Sequence, residues 1–481
     1  MKTLKIRHAM TPRFAALPLV AVVILVLLFV PPVAAQEQQP LNIVFVLADD
    51  LGWADLGCYG NDFIETPRLD GLAAQGMRFT DAYAAGAVCS PTRASLMTGM
   101  YPARLNITDF IPGHYRPFEQ LTVPPIENQL SLDYVTLAEP LDEAGYATCY
   151  LGKWHLGGAN HHPSRQGFHV AHVTSGQHFA PNWRSNPPLP GEREENEYLA
   201  DALTDAAIGF IRDHREHPFL LYLSHYAVHI PLEAKQATVE KYREKAAGGE
   251  APCHPTYAAM VEHVDQSVGR LLDALDELNL ADNTLVIFFS DNGGLIQRYD
   301  GQGPIVSTNA PLRAEKGTLY EGGIRVPMIV RWPGRVEPGS ESNVPVSSID
   351  VLPTLLDAVD RELDMPQNVD GVSLLPLLTG QGELDRDALY WHYPHYHHMD
   401  PAGAIRRGEW KLIERFDDGA LELYNLAEDI GEQQNLAGER PELAADLQDQ
   451  LATWHNSVGA RMPTRNVDSN PQRAAEWGRR N

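Results

Sequence analysis

The segment LNIVFVLADD, residues 41–50, is an apolar run that ends in two aspartates, Asp49 and Asp50. A run of this length is typical of a strand buried on both faces, as strands are in a parallel sheet. The pattern recurs along the chain, and three of the further runs also end in residues that can carry out chemistry. These strand-like runs are residues 145–151 before Lys153 and His155, 219–223 before His225, 284–289 before Asp291 and Asn292, and 326–331.

Helix-like segments lie between these runs, at residues 137–144, 257–278 and 349–359. Alternating strands and helices predict an α/β fold. In such folds ligands bind in the crevice beyond the carboxyl ends of the strands. We therefore expect the acidic, basic and histidine side chains at the ends of the runs to meet at one edge of the sheet.

The pattern changes after Gly380, where short strand-like segments precede a helix-like segment at residues 441–454. This change predicts a smaller α+β domain with an antiparallel sheet. The predicted organisation is a signal peptide at residues 1–35, an α/β domain carrying the candidate catalytic residues at 36–380, a C-terminal α+β domain at 381–461 and a polar tail at 462–481.

Basic residues within the first 13 positions precede an apolar run at residues 19–30, and residues 33–35 are small. This order is that of a secretory signal, with cleavage expected after Ala35. The run is short for a membrane span, which needs about 20 residues, and an uncleaved anchor is the alternative. The mature protein is expected to be exported to the periplasm or the extracellular space, with no stable membrane insertion after cleavage.

The chain has 38 basic and 63 acidic residues and a formal net charge of −25. Nucleic acid is not expected as a partner, because contact with phosphates needs a basic surface. An anionic substrate would have to be captured in a locally basic pocket. The 4 cysteines are too few for a disulfide framework.

The string CSPTRASLMTG, residues 89–99, predicts a short helix with Cys89 at its mouth. Pro91 is tolerated in a first helical turn, and Gly99 is a common helix stop. Unpaired N–H groups at the helix start, with Arg93 one turn later, would face an anion there. The alternative is a cysteine beside an ordinary capped helix.

The whole string resembles the signature of the type I, formylglycine-dependent sulfatases, in which this cysteine is oxidised after translation to Cα-formylglycine. Three other strings match motifs of that family: LGKWHLG at 151–157, HYAVHIPLEA at 225–234 and RAEKGTLYEGGIRVP at 313–327. The similarity is to the arylsulfatase and N-acetylgalactosamine-sulfatase-like branch of the alkaline phosphatase superfamily. It implies a large, mixed, mostly parallel sheet flanked by helices, with a smaller antiparallel sheet near the C-terminus.

Two pairs of oxygen-bearing side chains, Asp49 with Asp50 and Asp291 with Asn292, follow buried strands. A single Asp-Asp pair is usually a turn or a solvated loop, whereas two pairs at strand ends favour a metal site. Oxygen donors without a supporting set of cysteines or histidines select Ca²⁺ or Mg²⁺ over zinc or copper. The resemblance implies one divalent cation, Ca²⁺ with Mg²⁺ as the alternative, held by these four residues together with the oxidised Cys89.

The resemblance also assigns catalytic roles to Cys89, Arg93, Lys153, His155, His229 and Lys316. In the implied mechanism the hydrated formylglycine at Cys89 attacks sulfur, activated by the metal and the neighbouring arginine. Lys153 neutralises sulfate oxygens, while His229 and Lys316 protonate or stabilise the departing oxygen. His155 then removes a proton from the remaining hydroxyl, and sulfate is released.

The segment WHYPHYHH, residues 391–398, combines aromatic and histidine side chains that can stack on sugars and bond to hydroxyls. We interpret it as a rim that binds substrate through His392, His395 and His397. The alternative is a strand followed by a solvated loop. His225, near His229, is a further but weaker candidate for substrate binding.

The sequence thus predicts a sulfatase that hydrolyses sulfate esters of sulfated glycans or their oligosaccharides. Its partners would be that carbohydrate and the maturation enzyme that generates formylglycine. The enzymatic alternative is a phosphonate or phosphate monoester hydrolase of the same superfamily. A non-catalytic sulfoglycan-binding protein is the alternative if Cys89 stays a thiol.

Overall fold

The computed structural model describes residue 1 and residues 40–192, 194–249, 251–298, 301–360 and 365–478. Apart from Met1, the predicted signal peptide at 1–35 lies outside these ranges. The residues from Pro40 onward form one compact unit. The predicted domain boundary between residues 380 and 381 stays a prediction. No helix among the described residues has the length and apolar character needed to cross a membrane.

The central sheet has nine strands in the order β11-β2-β10-β9-β1-β8-β5-β6-β7. Four consecutive parallel pairings join its five strands from β9 to β6, and β7 and β10 run antiparallel to their neighbours. The predicted mixed, mostly parallel sheet is therefore confirmed. The strands of this sheet are β1 (Asn42–Ala48), β2 (Met77–Phe79), β5 (Ala147–Gly152), β6 (Val170–Gly176), β7 (Trp183–Asn186), β8 (Phe219–Ser224), β9 (Thr284–Ser290), β10 (Met328–Arg331) and β11 (Ser340–Ser342).

The other strands form three smaller sheets. Two short pairs join β3 (Ala82–Tyr83) to β12 (Val346–Ser347) and β4 (Leu121–Thr122) to β17 (Thr464–Arg465). The predicted antiparallel sheet is also present. It consists of β13 (Leu389–Tyr393), β14 (Ala402–Arg407), β15 (Trp410–Arg415) and β16 (Leu421–Asn425).

Eleven helices accompany these strands in the described part of the chain. They are α1 (Pro67–Ala74), α2 (Cys89–Thr98), α3 (Pro102–Leu105), α4 (Ala138–Glu143), α5 (Leu199–Asp213), α6 (Gln236–Ala246), α7 (Pro255–Glu277), α8 (Glu321–Ile324), α9 (Val351–Ala358), α10 (Leu375–Leu378) and α11 (Pro441–Val458).

Both faces of the central sheet are covered, which explains why its middle strands are apolar throughout. Side chains of a strand alternate between faces, so Val44 and Val46 enter one core while Phe45 enters the other. The first core is closed by α5 and α7, and the second by α2 and α9. This layered arrangement leaves the carboxyl ends of β1, β5, β8 and β9 at a common edge.

The antiparallel sheet packs against α11 through a separate apolar cluster that includes Leu412, Leu423, Leu447 and Leu451. The polar tail that follows α11 lies along residues 115–122, through β17 and further main-chain hydrogen bonds.

Candidate active site

Helix α2 begins at Cys89, as the sequence predicts, and ends at Gly99. The residue before it, Val88, is extended (φ −144°, ψ 168°), and Gly99 is left-handed (φ 67°) with its N–H donated to the Ser95 carbonyl. All ten residues of the helix are buried, so the Cys89 thiol points from a helix N-terminus into the interior. Burial raises the pKa of this thiol.

Three carboxylates meet at the ends of β1 and β9. These strands pair in parallel up to Ala48 and Ser290, so the residues that follow them are neighbours. The Asp50 N–H donates to Asp291 Oδ1 at 3.1 Å, and Asn292 Nδ2 donates to Asp50 Oδ1 at 2.8 Å. The backbone of Asp50 is left-handed (φ 64°), a conformation that is costly for residues other than glycine and that occurs at functional sites.

Three cations compensate these buried carboxylates. Arg93 Nη2 lies 2.7 Å from Asp291 Oδ2, Lys153 Nζ lies 2.5 Å from Asp49 Oδ2, and Lys316 Nζ lies 2.7 Å from Asp50 Oδ1. Burial alone would raise the pKa of Asp49, but Lys153 and other nearby cations hold that pKa below its usual range. Burial, reinforced by the charge of Asp49, raises the pKa of Asp291 to about 7.

The donor atoms fit a divalent cation. Ligand atoms of Asp49, Cys89 and Asp291 lie within 4.8 Å of one another. Among the described residues, Asp49 Oδ1 and Asn292 Oδ1 are buried without a hydrogen-bond partner. Buried acceptors of this kind are rarely left unpaired, and both atoms are hard oxygen donors that Ca²⁺ or Mg²⁺ accepts. The residues present therefore suit such an ion.

His155 contacts Cys89 directly. Its Nδ1 lies 3.1 Å from Cys89 Sγ, and its Nε2 lies 2.7 Å from the Ile111 carbonyl oxygen. A carbonyl oxygen only accepts, so Nε2 carries the proton and Nδ1 faces Cys89 with its lone pair. Burial, together with Lys153, lowers the pKa of His155 to about 3. The ring is therefore neutral and can accept a proton from the group at position 89.

A cavity of about 530 Å³ opens over these residues. Its floor includes Cys89, Lys153, His155, His229 and Lys316. The walls are mostly apolar or aromatic, and they comprise Phe110, Ile111, His114, Trp154, Gly157, residues 173–176, Tyr226, Ile230, Leu295, Arg298 and His397. The cationic floor suits an oxyanion, and the walls suit the organic group to which that oxyanion is bonded.

The family model "Sulfatase" matches residues 41–360, and the model "N-sulphoglucosamine sulphohydrolase, C-terminal" matches residues 314–457. This chain belongs to the sulfatase family. Its predicted enzyme class, a hydrolase of sulfate esters, is confirmed, and formylglycine and a divalent metal are typical of that family.

Similar proteins lie on the expected branch. An N-acetylgalactosamine-6-O-sulfatase of Bacteroides thetaiotaomicron is 31% identical, over 86% of this chain and 93% of that one. Human arylsulfatase A is 33% identical, over 83% of this chain and 84% of its own length. The solved structure of Ps i-CgsB in complex with k-i-k-neocarrahexaose superposes with a TM-score of 0.73 at 31% identity, covering 87% of this chain and 93% of that chain.

The predicted rim requires correction. Of the three histidines assigned to it, only His397 lines the cavity. His392, on β13, and His395, in the loop after it, are both buried, with exposures of 6% and 1%. His392 Nε2 lies 3.1 Å from the Arg461 carbonyl, and His395 Nε2 lies 2.8 Å from Thr108 Oγ1. His392 lies on β13, a strand covered on both faces, so its ring packs against His455 instead of facing substrate.

His225 is also placed away from the cavity. Its side chain is fully buried, and its Nε2 lies 3.0 Å from Ser267 Oγ on α7. Four residues later, His229 does line the cavity, with Nε2 at 3.7 Å from Asp50 Oδ2. The buried His178 supports it by donating from Nε2 to the His229 carbonyl at 2.9 Å.

Sequence reasoning missed most of the cavity wall. Trp154 and Tyr226 stand inside the strings GKWH and HYAVH, so adjacency to the motif histidines was a usable signal. Phe110, Ile111 and His114 belong to a loop without periodicity, and no local pattern marks them. Only the folding of that loop over α2 brings these side chains to the site.

Proposed function

We propose that this protein desulfates glycans or their oligosaccharides, using oxidised Cys89 and one divalent cation. The observation that carries the proposal is the contact between Cys89, at a helix N-terminus, and the unprotonated Nδ1 of His155. This contact lies beside a carboxylate cluster that fits a metal. Oxidised Cys89 would supply a hydrated aldehyde as nucleophile, and the cation would supply positive charge beside it.

The protein's own side chains would divide the remaining work. Lys153 and Lys316 lie at the floor of the cavity, where they can neutralise sulfate oxygens. His229, also at the floor, is placed with Lys316 to protonate or stabilise the departing oxygen. Arg93, bound to Asp291 through Nε at 2.9 Å, holds that carboxylate and adds charge under position 89. His155 Nδ1 would accept a proton from position 89.

The metal ligands we propose are Asp49, Asp50, Asp291, Asn292 and position 89, and the ion is Ca²⁺, with Mg²⁺ as the alternative. This choice is supported by a donor set made of hard oxygens. A maturation enzyme that oxidises Cys89 is a necessary partner in this scheme. We also retain export to the periplasm or the extracellular space as a proposal based on the N-terminal sequence.

A carbohydrate substrate is supported by two features. Relatives include a protein named as an N-acetylgalactosamine-6-O-sulfatase and a structure bound to k-i-k-neocarrahexaose. The walls of the cavity also carry Tyr226 and Phe110, whose partly exposed rings offer faces to a sugar. We propose that His397 contributes to this wall. His225, His392 and His395 are buried away from the cavity, so we do not propose them as substrate ligands.

The test is a panel of sulfated mono- and disaccharides, assayed on protein produced beside a maturation enzyme. Phenyl phosphate and the monophenyl ester of methylphosphonic acid are assayed in parallel, as substrates of the alternative hydrolase. We expect sulfate release from at least one sugar and formylglycine in the peptide containing residue 89. Faster turnover of the phosphorus esters would favour the alternative hydrolase. Active protein with only unmodified cysteine by mass spectrometry would refute the mechanism.

A further inference from the structure

The C-terminal tail, residues 464–478, lies along residues 115–122. Strand β17 pairs antiparallel with β4. Beyond it, the Asn466 N–H donates to the Gln120 carbonyl at 3.0 Å, and the Asn470 N–H donates to the Phe118 carbonyl at 2.9 Å. The Gly478 N–H reaches the Tyr115 carbonyl at 2.8 Å, so the tail follows this segment back towards the cavity.

Near the end of the tail, Trp477 packs against two side chains of this segment. Its ring centroid lies 4.5 Å from that of His114, and the Arg116 guanidinium lies 4.1 Å from the indole centroid. An aromatic ring in contact with an imidazole and a guanidinium restricts both groups by stacking and cation–π attraction. Trp477 itself does not line the cavity.

His114 connects this contact to the substrate site. It lines the cavity, and its ring lies 4.5 Å from Phe110 and 4.7 Å from His397, which also line it. The inner end of the same loop is anchored separately. Ile111 accepts from His155 at one side and donates to Ser90 Oγ at 3.1 Å, so the loop is fixed at its inner end by the catalytic centre.

We propose that Trp477 is a positioning residue that holds the His114 ring in the cavity wall, so that the C-terminal tail shapes binding of the organic part of the sulfate ester. This inference rests on the proposed function in taking the cavity as the substrate site. The sulfate itself would bind to the floor, at Lys153 and Lys316, whereas Trp477 packs against His114 and Arg116. Loss of Trp477 should therefore weaken binding of the organic group without changing binding of sulfate.

The kinetic test uses 4-nitrophenyl sulfate as substrate and inorganic sulfate as inhibitor. Trp477→Ala should raise KM for the aryl ester by about threefold to tenfold, the range expected for one aromatic contact. It should leave kcat within about twofold and the inhibition constant of inorganic sulfate unchanged. Trp477→Phe, which keeps a ring, should restore most of the KM.

A second readout needs no substrate. Hydrogen exchange of peptides covering residues 110–118 should speed up in Trp477→Ala and stay near the wild-type rate in Trp477→Phe. The matched control is Arg473→Ala, which removes a tail side chain whose guanidinium lies 3.5 Å from the Phe118 ring centroid. It should change neither KM nor exchange at His114. His114→Ala should raise KM as Trp477→Ala does, and the double variant should add little, because both act through one contact.

The results separate this inference from the proposed function. A wild-type protein that hydrolyses no sulfate ester would refute the function, while the exchange experiment would still decide the role of Trp477. Unchanged exchange at residues 110–118, or an unchanged KM in active Trp477→Ala, would overturn the inference. An equal rise in KM and in the sulfate inhibition constant would also overturn it, since the whole site would then be disturbed. Where Trp477→Ala does not fold, Trp477→Leu replaces it, and wild-type KM and exchange in that variant would overturn the inference.

Discussion

Cys89 Sγ and His155 Nδ1 lie 3.1 Å apart although their residues are 66 positions apart in the sequence. The contact arises because α2 begins beside the carboxyl end of β5, from which His155 follows after three residues. The left-handed backbone of His155 (φ 57°) turns its ring towards α2. The hydrogen bond from Nε2 to Ile111 then presents the basic nitrogen to position 89, which suits a proton acceptor.

Cys89→Ser should abolish repeated turnover. Serine offers one hydroxyl, so a sulfated serine has no second hydroxyl from which to expel sulfate. We expect multiple-turnover activity to fall on the order of 10³-fold or more, as it does when a nucleophile is lost. Counting product per enzyme gives the decisive measurement. Sustained turnover at a near-normal rate would contradict the proposed role of position 89.

Asp291→Ala should remove both the metal and the activity, because Asp291 carries one of the three clustered carboxylates. The variant also leaves Arg93 without its closest ion pair. Metal content of purified protein, determined by elemental analysis, and turnover of 4-nitrophenyl sulfate are the measurements.

The matched control for that variant is Asp370→Ala. It also removes an aspartate paired with an arginine, Arg104, and the Asp370 side chain is 12% exposed. This control should keep the metal and most of the activity. Stoichiometric Ca²⁺ or Mg²⁺ in Asp291→Ala would remove Asp291 from the ligand set. Stoichiometric zinc in the active wild-type protein would refute the assignment of the ion.

At the scale of elements, α2 holds the candidate nucleophile in place through both of its ends. It begins at the edge of the central sheet where the carboxyl ends of the strands lie, and it ends at Gly99, whose backbone is left-handed. A Cβ added there would lie 2.8 Å from Val369 Cγ1. Glycine is therefore required at this position both for backbone geometry and for packing.

Gly99→Ala should lower the free energy of unfolding by about 1–2 kcal/mol, from the left-handed backbone of a non-glycine residue. The melting temperature by circular dichroism would report the loss. Gly209→Ala is the matched control, since Gly209 lies within α5 and an added Cβ meets no atom within 4 Å. In a helix this change should stabilise by up to about 1 kcal/mol. Equal melting temperatures for the two variants would contradict the account of Gly99.

At the scale of the whole molecule, the two larger sheets are joined by buried ion pairs. Lys411 on β15 is fully buried, and its Nζ lies 2.8 Å from both Glu321 Oε1 and Glu432 Oε1. Burial opposes ionisation of Glu321, but Lys411 and Arg325 hold its pKa below the usual range. Glu321 begins α8, five residues after Lys316, so this cluster also supports the segment that brings Lys316 to the cavity.

Lys411→Met should lower the free energy of unfolding by about 3–5 kcal/mol, because it leaves Glu432 buried without the cation it pairs with and leaves Glu321 with Arg325 alone. The urea midpoint measures the loss. Lys241→Met is the matched control, since Lys241 also pairs with two glutamates, Glu65 and Glu262, at 2.7 Å each. Its side chain is 39% exposed, so the expected loss is below about 1 kcal/mol. Similar midpoints for both variants would show that the buried cluster does not hold the sheets together.

The sequence by itself determined the buried strands, the helix beginning at Cys89 and the polar residues at the strand ends. These features are readable because they depend on local order: apolar runs make strands, proline and glycine bound a helix, and parallel strands bring their carboxyl ends together. The residues Asp49, Asp291 and Lys153 were accessible to sequence reasoning for that reason.

Only the tertiary structure decided which histidines face the cavity and what builds its wall. His392 and His397 stand in one short string, yet one packs against His455 and the other lines the cavity. The neighbours that decide this come from distant parts of the chain, as Trp477 does for His114. Such contacts depend on how loops and the tail fold over the sheets, and no periodicity in the sequence specifies them.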